Sequence, residues 1–151
     1  MKAIIYTQYG PPDVLQFTET PKPAPKNNEI LIKICAVSIN AADSHLMRAD
    51  PFPVRFAFGL FKPKIQTLAS YCWTSGSRRK NVPQFKVEDE VYGDLTGVGF
   101  GGLAEYACAP ESALTFKPAN LTFEESAALP MASITALQGG TRSIDLQLKQ
   151  T

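Results

Sequence analysis

The chain predicts a mainly β domain with short helices, an α+β architecture built on a small, partly open β-barrel. Three observations carry this prediction. Short β-prone runs recur along the chain with turn residues between them. Twelve prolines and ten glycines among 151 residues supply those turns and work against long helices. Hydrophobic residues make up 44% and charged residues 19%, enough for one real core in one domain.

Lys2 to Tyr6 is the first β-prone run. Gly10-Pro11-Pro12-Asp13 turns the chain into a second run around Leu15 to Thr18. Pro21, Pro23 and Pro25 each fix φ and remove a donor, which makes an extended linker. Glu29 to Ser38, EILIKICAVS, alternates polar and apolar and then turns wholly apolar, as a strand entering a core does. Ala42 to Arg48 suits one or two helical turns, capped by Asn40 or Asp43. Pro51 to Lys64, rich in Phe and Pro, reads as a loop covering apolar surface. Phe85 to Leu95 is a turn and a strand, Gly97 to Gly102 a flexible loop, and Leu103 to Cys108 and Ala113 to Phe116 further strands. Thr122 and Glu125 have capping-box spacing and start a helix; Pro130 starts a second.

Composition excludes several function classes. A formal charge of +1 offers no pull toward nucleic acid or an acidic membrane. Cys35, Cys72 and Cys108 form no CxxC pair, so neither a zinc knuckle nor a thioredoxin-like site is supported, and their odd number argues against a disulfide framework. No apolar run is long enough for a signal peptide or a membrane span, and a cytoplasmic location is expected.

Five segments in order, MKAIIYTQYGPPDVLQF, EILIKICAVSINAAD, FKVEDEVYGD, GGLAEYACAPESAL and KPANLTFEESAALPMASITALQG, resemble the N-terminal, GroES-like domain of medium-chain dehydrogenases/reductases. The branch most resembled is the zinc-free quinone oxidoreductase group. The resemblance covers residues 1–64 and 81–139, and defines a GroES-like catalytic domain over 1–139 followed by a divergent tail, 140–151. It implies hydride transfer from NADPH or NADH to a quinone, enone or other carbonyl compound, in proteins that carry a Rossmann domain after the barrel. The glycine-rich dinucleotide fingerprint of such a domain is missing here; Gly97 to Gly102 precedes a strand, not a helix. The resemblance therefore implies a truncated enzyme, with the Rossmann domain missing, that binds little or no nucleotide by itself.

The same resemblance nominates the site residues. Asn40 stands where zinc-dependent members have a cysteine ligand, three residues before Asp43, and an amide is a poor zinc ligand. No zinc is expected. Asn40 would lie beside nicotinamide and substrate, with Asp43 shaping the pocket and Thr135 approaching the nicotinamide ribose or amide. Spacing alone favours reading Asn40 and Asp43 as helix caps, and reads Thr135 as a helical threonine bonding its own backbone. Catalytic residues stay unassigned. His45 reads as an exposed helical residue, and Tyr92 and Tyr106 as core or rim aromatics.

Residues 65–80 break the pattern. One permitted coding of Tyr71 to Arg79, slipped forward by one nucleotide, reads Ile-Ala-Gly-Arg-Val-Glu-Ala-Val-Gly, the strand the family has here. An out-of-frame segment is expected, and with it a disordered or poorly packed Ser75 to Lys80, because SGSRRK offers no inner face to a barrel. Glu88 is expected to be strained if its turn needs φ > 0. Three function classes follow: a zinc-free reductase's catalytic domain; a non-enzymatic binding or oligomerisation module, or an inactive pseudogene product; and a thiol redox protein, which no charge pattern around the cysteines supports. The expected partners are a small-molecule quinone, enone or carbonyl and a second copy in a homo-oligomer, with no nucleic acid and no membrane.

Overall fold

Ile30 and Ile32 organise the main sheet. They alternate with Glu29, Leu31 and Lys33 along β3 (Glu29–Lys33), so both point to one face, where both are buried. Opposite them, β7 (Tyr106–Pro110) presents Ala107 and Ala109, also buried, in the register Ile30↔Ala109 and Ile32↔Ala107. Large side chains thus face small ones across the ladder, which lets the two strands pack without a void. The computed structural model describes residues 1–64, 71–78, 84–95 and 101–148, with side chains except at 71–78, 134 and 141–148.

The sheet continues through β5 (Tyr71–Arg78), β6 (Glu90–Asp94) and β8 (Leu114–Phe116) in the order β7-β3-β5-β6-β8, and β4 (Val37–Ser38) pairs beside β5. All these ladders are antiparallel. A separate two-stranded sheet pairs β1 (Lys2–Ile5) with β2 (Gln16–Glu19), and a bridge from Ala3 to Ala104 ties it to the segment before β7. One core cluster joins Ile30, Ile32, Phe85, Val91, Leu95 and Leu114 with the two alanines. A second gathers Tyr6, Val14 and Met47, with Tyr9, Leu46 and Leu103 at its margin. Among the described residues no ladder joins β7 to β8, so the strands and helices match the predicted class while a closed barrel is not seen.

Four expectations need correction. Ser75 to Arg78 is not disordered: the backbone belongs to β5, whose last residues pair with β3 and whose first pair with β4 and β6. Ladder hydrogen bonds use the backbone, so two flanking strands can template a third of poor apolar content. Residues 79 and 80 lie outside the described residues, as does most of the Gly97 to Gly102 loop.

The second correction concerns the C-terminal helices. A single helix, α3 (Phe123–Leu148), runs through Pro130 and the Gly139-Gly140 pair into the divergent tail, where two separate helices are predicted. Proline removes one interior bond, to the carbonyl four residues back, but α3 packs on β4, β5 and β6. Tertiary packing outweighs one lost bond. At 26 residues α3 is also not short, the third correction.

Lastly, Pro51 to Lys64 contains a helix, α2 (Val54–Phe58), and its Phe52, Phe56 and Phe61 face solvent instead of covering apolar surface. The Thr122–Glu125 capping box forms as predicted: Thr122 N–H donates to Glu125 Oε2 at 2.9 Å and Glu125 N–H to Thr122 Oγ1 at 3.2 Å. Glu88 takes φ +74°, in the left-handed region, and carries the strain expected of a non-glycine residue there.

Candidate functional site

β4 leads directly into the residue pair nominated by the sequence. Helix α1 (Ala41–Arg48) starts at Asn40, whose extended backbone makes it the N-cap. Asp43 sits one turn in and turns its carboxylate back, so that Oδ2 accepts the Asn40 N–H at 2.8 Å. An acid in the first turn also meets the positive end of the helix dipole. Asp43 is 1% exposed. The cap reading of Asp43 is therefore correct in the structure, and the buried carboxylate is committed to holding the backbone of Asn40. The Asn40 side chain turns elsewhere: Nδ2 donates to Ser38 Oγ at 3.3 Å. Asp43 fixes where Asn40 stands, and Ser38 fixes how its amide points.

Tyr6 packs in the core cluster that holds Met47 of α1, and sequence reasoning missed it. It follows β1, is buried in the second core cluster with Met47 of α1, and lies close enough to Asp43 to feel its charge. Burial first, then the charges of Tyr9 and Asp43, push its hydroxyl up to about 12 from 10.0. The available signal was the pattern Ile4-Ile5-Tyr6, a tyrosine ending an apolar strand. The sign of the consequence follows. A folded value above the unfolded one means the neutral phenol is favoured by folding, so this stability is complete below pH 10 and is lost as pH rises toward 12. Urea midpoints of the wild-type chain should fall across that window. Tyr6→Phe should remove this share of the fall, and Asp43→Asn should move its midpoint down. A decline that Tyr6→Phe leaves unchanged assigns it to another group.

A cavity of about 350 Å³ opens between β6, β8 and α3. Tyr92, Gly93 and Asp94 line it with Ser112 and Thr115 and with Pro130 and Ser133 of α3. Register relates it to Asn40: Ser38 pairs with Tyr71, and Tyr71 with Asp94. Two strand spacings put Ser38 and Asp94 about 10 Å apart. Asn40 and the cavity therefore share one end of the sheet, under α3. Thr135 lies on α3 beyond the cavity and is exposed, as is Leu137. The structure brings Asn40 and Asp43 into direct contact and leaves Thr135 on a helical stretch facing solvent.

Lys117 holds the start of α3 to β6 and was also missed. Its side chain is buried; Nζ donates to the carbonyls of Leu121 at 2.6 Å and Pro118 at 3.1 Å and pairs with Glu90 Oε2 at 3.1 Å. It thereby ties β6 to the turn that begins α3.

The remaining candidates are quiet. His45 is exposed, its Nδ1 2.9 Å from the Asp50 carbonyl oxygen. Tyr106 carries Lys22 Nζ over its ring at 3.6 Å, a surface cation–π contact. Cys35 and Cys108 are free thiols, and burial raises the Cys108 thiol, with Glu29 adding and Lys26 opposing. A raised thiol is the opposite of what a redox nucleophile needs. Among the described residues no three His, Cys, Asp or Glu side chains gather to hold a metal, and no helix is long and apolar enough to cross a membrane. Of the residues nominated for a dinucleotide, Asn40 is half-buried. Asp43 is buried and engaged, and Thr135 stands exposed on one helix face.

Comparison with known proteins is consistent with this layout. No protein-family model matches the chain. It is 36% identical over 157 residues to the chloroplast envelope quinone oxidoreductase homolog of Arabidopsis thaliana, covering 100% of this chain and 45% of that one. It is 32% identical to the chloroplastic NADPH-dependent alkenal/one oxidoreductase of the same plant, covering 95% of this chain and 38% of that protein. The quinone oxidoreductase of Coxiella burnetii superposes with a TM-score of 0.83 at 31% identity, over 94% of this chain and 44% of that one. The chain spans less than half the length of these relatives. Over the segment shared with them, the chain belongs to the quinone oxidoreductase-like branch of the medium-chain dehydrogenase/reductase superfamily.

Proposed function

We propose that this chain is the substrate-side, GroES-like unit of a zinc-free, NAD(P)H-dependent oxidoreductase acting on a quinone, enone or related carbonyl. The observation that carries the reading is Asn40, held by Asp43 at its backbone and by Ser38 at its amide, at the sheet end where the cavity opens. An amide donor so fixed orients a carbonyl oxygen or a carboxamide. It supplies hydrogen bonds where a thiolate would supply a metal ligand. NAD(P)H, when bound, supplies the hydride. No hydride step is assigned to the chain alone. Thr135, on the exposed stretch of α3, is proposed to meet the nicotinamide end once a nucleotide-binding unit is packed there. A cytoplasmic location is retained as part of the proposal, although the two plant relatives are named for the chloroplast.

Two measurements test this. Calorimetry of the 151-residue chain with NADPH and NADH should show no micromolar binding. Joined to the nucleotide-binding half of the Coxiella relative, the chain should oxidise NADPH with a quinone or enone acceptor. In that fusion Asn40→Ala should lower kcat/KM by about 10- to 100-fold, the loss of an orienting donor in a dry site. Turnover by the isolated chain, or a fusion indifferent to Asn40, overturns the reading.

A further inference from the structure

Residues 48–64 carry a charge and an apolar pattern that the whole-chain averages conceal. Arg48, Arg55, Lys62 and Lys64 stand against one carboxylate, Asp50, so this stretch is net +3 in a chain that is +1 overall. The remaining residues are net acidic. The same stretch holds Phe52, Phe56, Leu60 and Phe61, all exposed, with Phe56 at 70% and Phe61 at 87%. Single exposed hydrophobics are ordinary, but four within ten residues are not.

This segment is anchored, not loose. Tyr9 Oη donates to the Gly59 carbonyl at 2.8 Å, and the Arg55 guanidinium lies over the Tyr9 ring at 5.0 Å and the Phe52 ring at 5.4 Å. Phe52 and Phe56 meet edge to face at 6.0 Å. After α2 the chain reverses at Gly59, φ +118°, and the Lys64 N–H returns to the Phe58 carbonyl at 2.8 Å. A Cβ on Gly59 would lie 2.0 Å from the Lys62 carbonyl oxygen, so the reversal requires glycine. Phe61 is held out beyond this reversal with a lysine on its C-terminal side. Among the described residues Arg48, Lys62 and Lys64 make no ion pair.

We propose that this segment docks on an anionic lipid surface. Protruding phenyl rings enter the boundary between headgroups and acyl chains, and unpaired cations beside them meet lipid phosphates. Charge complementarity selects this occupant: Arg48 precedes the rings in the chain and Lys62 and Lys64 follow them, and a neutral apolar partner would leave these cations unmatched. A side chain exposed to 87% protrudes, and a headgroup layer accepts a protrusion without a preformed pocket. The inference revises the expectation of no membrane partner, which rested on net charge averaged over the chain.

The test is sedimentation of the full chain with vesicles of phosphatidylcholine containing about 30% phosphatidylglycerol, against pure phosphatidylcholine. The chain should pellet with the anionic vesicles, and added salt should release it. Lys62→Glu/Lys64→Glu should weaken binding at least about 25-fold, near fivefold for each cation lost. Phe56→Ser/Phe61→Ser should weaken it by about tenfold or more while leaving the circular dichroism and melting unchanged, since both rings are exposed. No pelleting, or pelleting that survives both double variants, overturns the proposal. So does self-association in analytical ultracentrifugation that Phe56→Ser/Phe61→Ser abolishes, because the face is then an interface between copies.

Discussion

Gly93→Ala should cost the domain about 3 kcal/mol or more, the upper end for an added methyl in a packed interior. Gly93 pairs with Leu114 across the β6–β8 ladder. A Cβ there would stand 1.9 Å from the Ala113 carbonyl oxygen, 3.0 Å from its carbon and 3.2 Å from Leu114 Cδ2. A side-chain tip can rotate away from such a clash, but a backbone oxygen moves only with its strand. The ladder must open, and with it the cavity that Gly93 shares with Ser112 and Thr115. For a chain of this size the loss corresponds to a fall of roughly 6–12 °C in Tm. A fall of less than about 2 °C would show β8 able to retreat at small cost.

Gly93 also shows what sequence does and does not make legible. In EVYGD the glycine reads as a weak point of a strand, whereas its contact is with a carbonyl twenty residues on, which no local pattern encodes. Strands whose faces differ are the opposite case. β3 announces itself because Ile30 and Ile32 alternate with polar neighbours, and the Thr122–Glu125 box because both partners lie within one helical turn. β5 is illegible for the same physical reason. The letters YCWTSGSR alternate no polar and apolar residues, and the pairing comes from β3, β4 and β6. Pro130 misleads because intrinsic preference favours a break there, and packing of α3 on three strands overrides it.

At the site, Asn40 and Asp43 are legible as a cap by spacing, and the structure forms that cap, while their reading as pocket residues comes from family resemblance alone. The cap is how Asn40 is held. Tyr6, Ser38 and Lys117 are not legible, because their roles arise from contacts between separate elements: β1 with α1, β4 with Asn40, and β8 with β6 and α3. Thr135 is legible only through resemblance. It is exposed, so burial gives no argument for it.

Phe85→Ala should be the most damaging truncation in the core, at about 4 kcal/mol. The ring is 2% exposed, sits in the cluster with Ile32, Val91 and Leu95, and meets the Phe116 ring edge to face at 5.0 Å. A net stability of roughly 5–15 kcal/mol leaves little beyond such a loss. The consequence extends past the cavity left behind. Phe85 leads into the turn of Lys86 to Asp89, where Lys86 N–H donates to Asp89 Oδ2 at 2.6 Å and Glu88 is held at φ +74°. A left-handed glutamate persists only while its surroundings compel it, and the buried Phe85 anchors the start of the turn that holds it. β6 follows that turn and carries Glu90, the partner of Lys117. Loss of Phe85 should therefore raise hydrogen exchange in the 86–94 stretch and at the start of α3 more than in β1 and β2, which rest on the other cluster. Phe116→Ala, which removes a half-exposed ring, should cost far less, about 1–2 kcal/mol. The double variant should be less destabilised than the sum, because the two rings share one contact. Equal costs for the two single variants would show that the stability lies in the edge-to-face pair and not in the burial of Phe85.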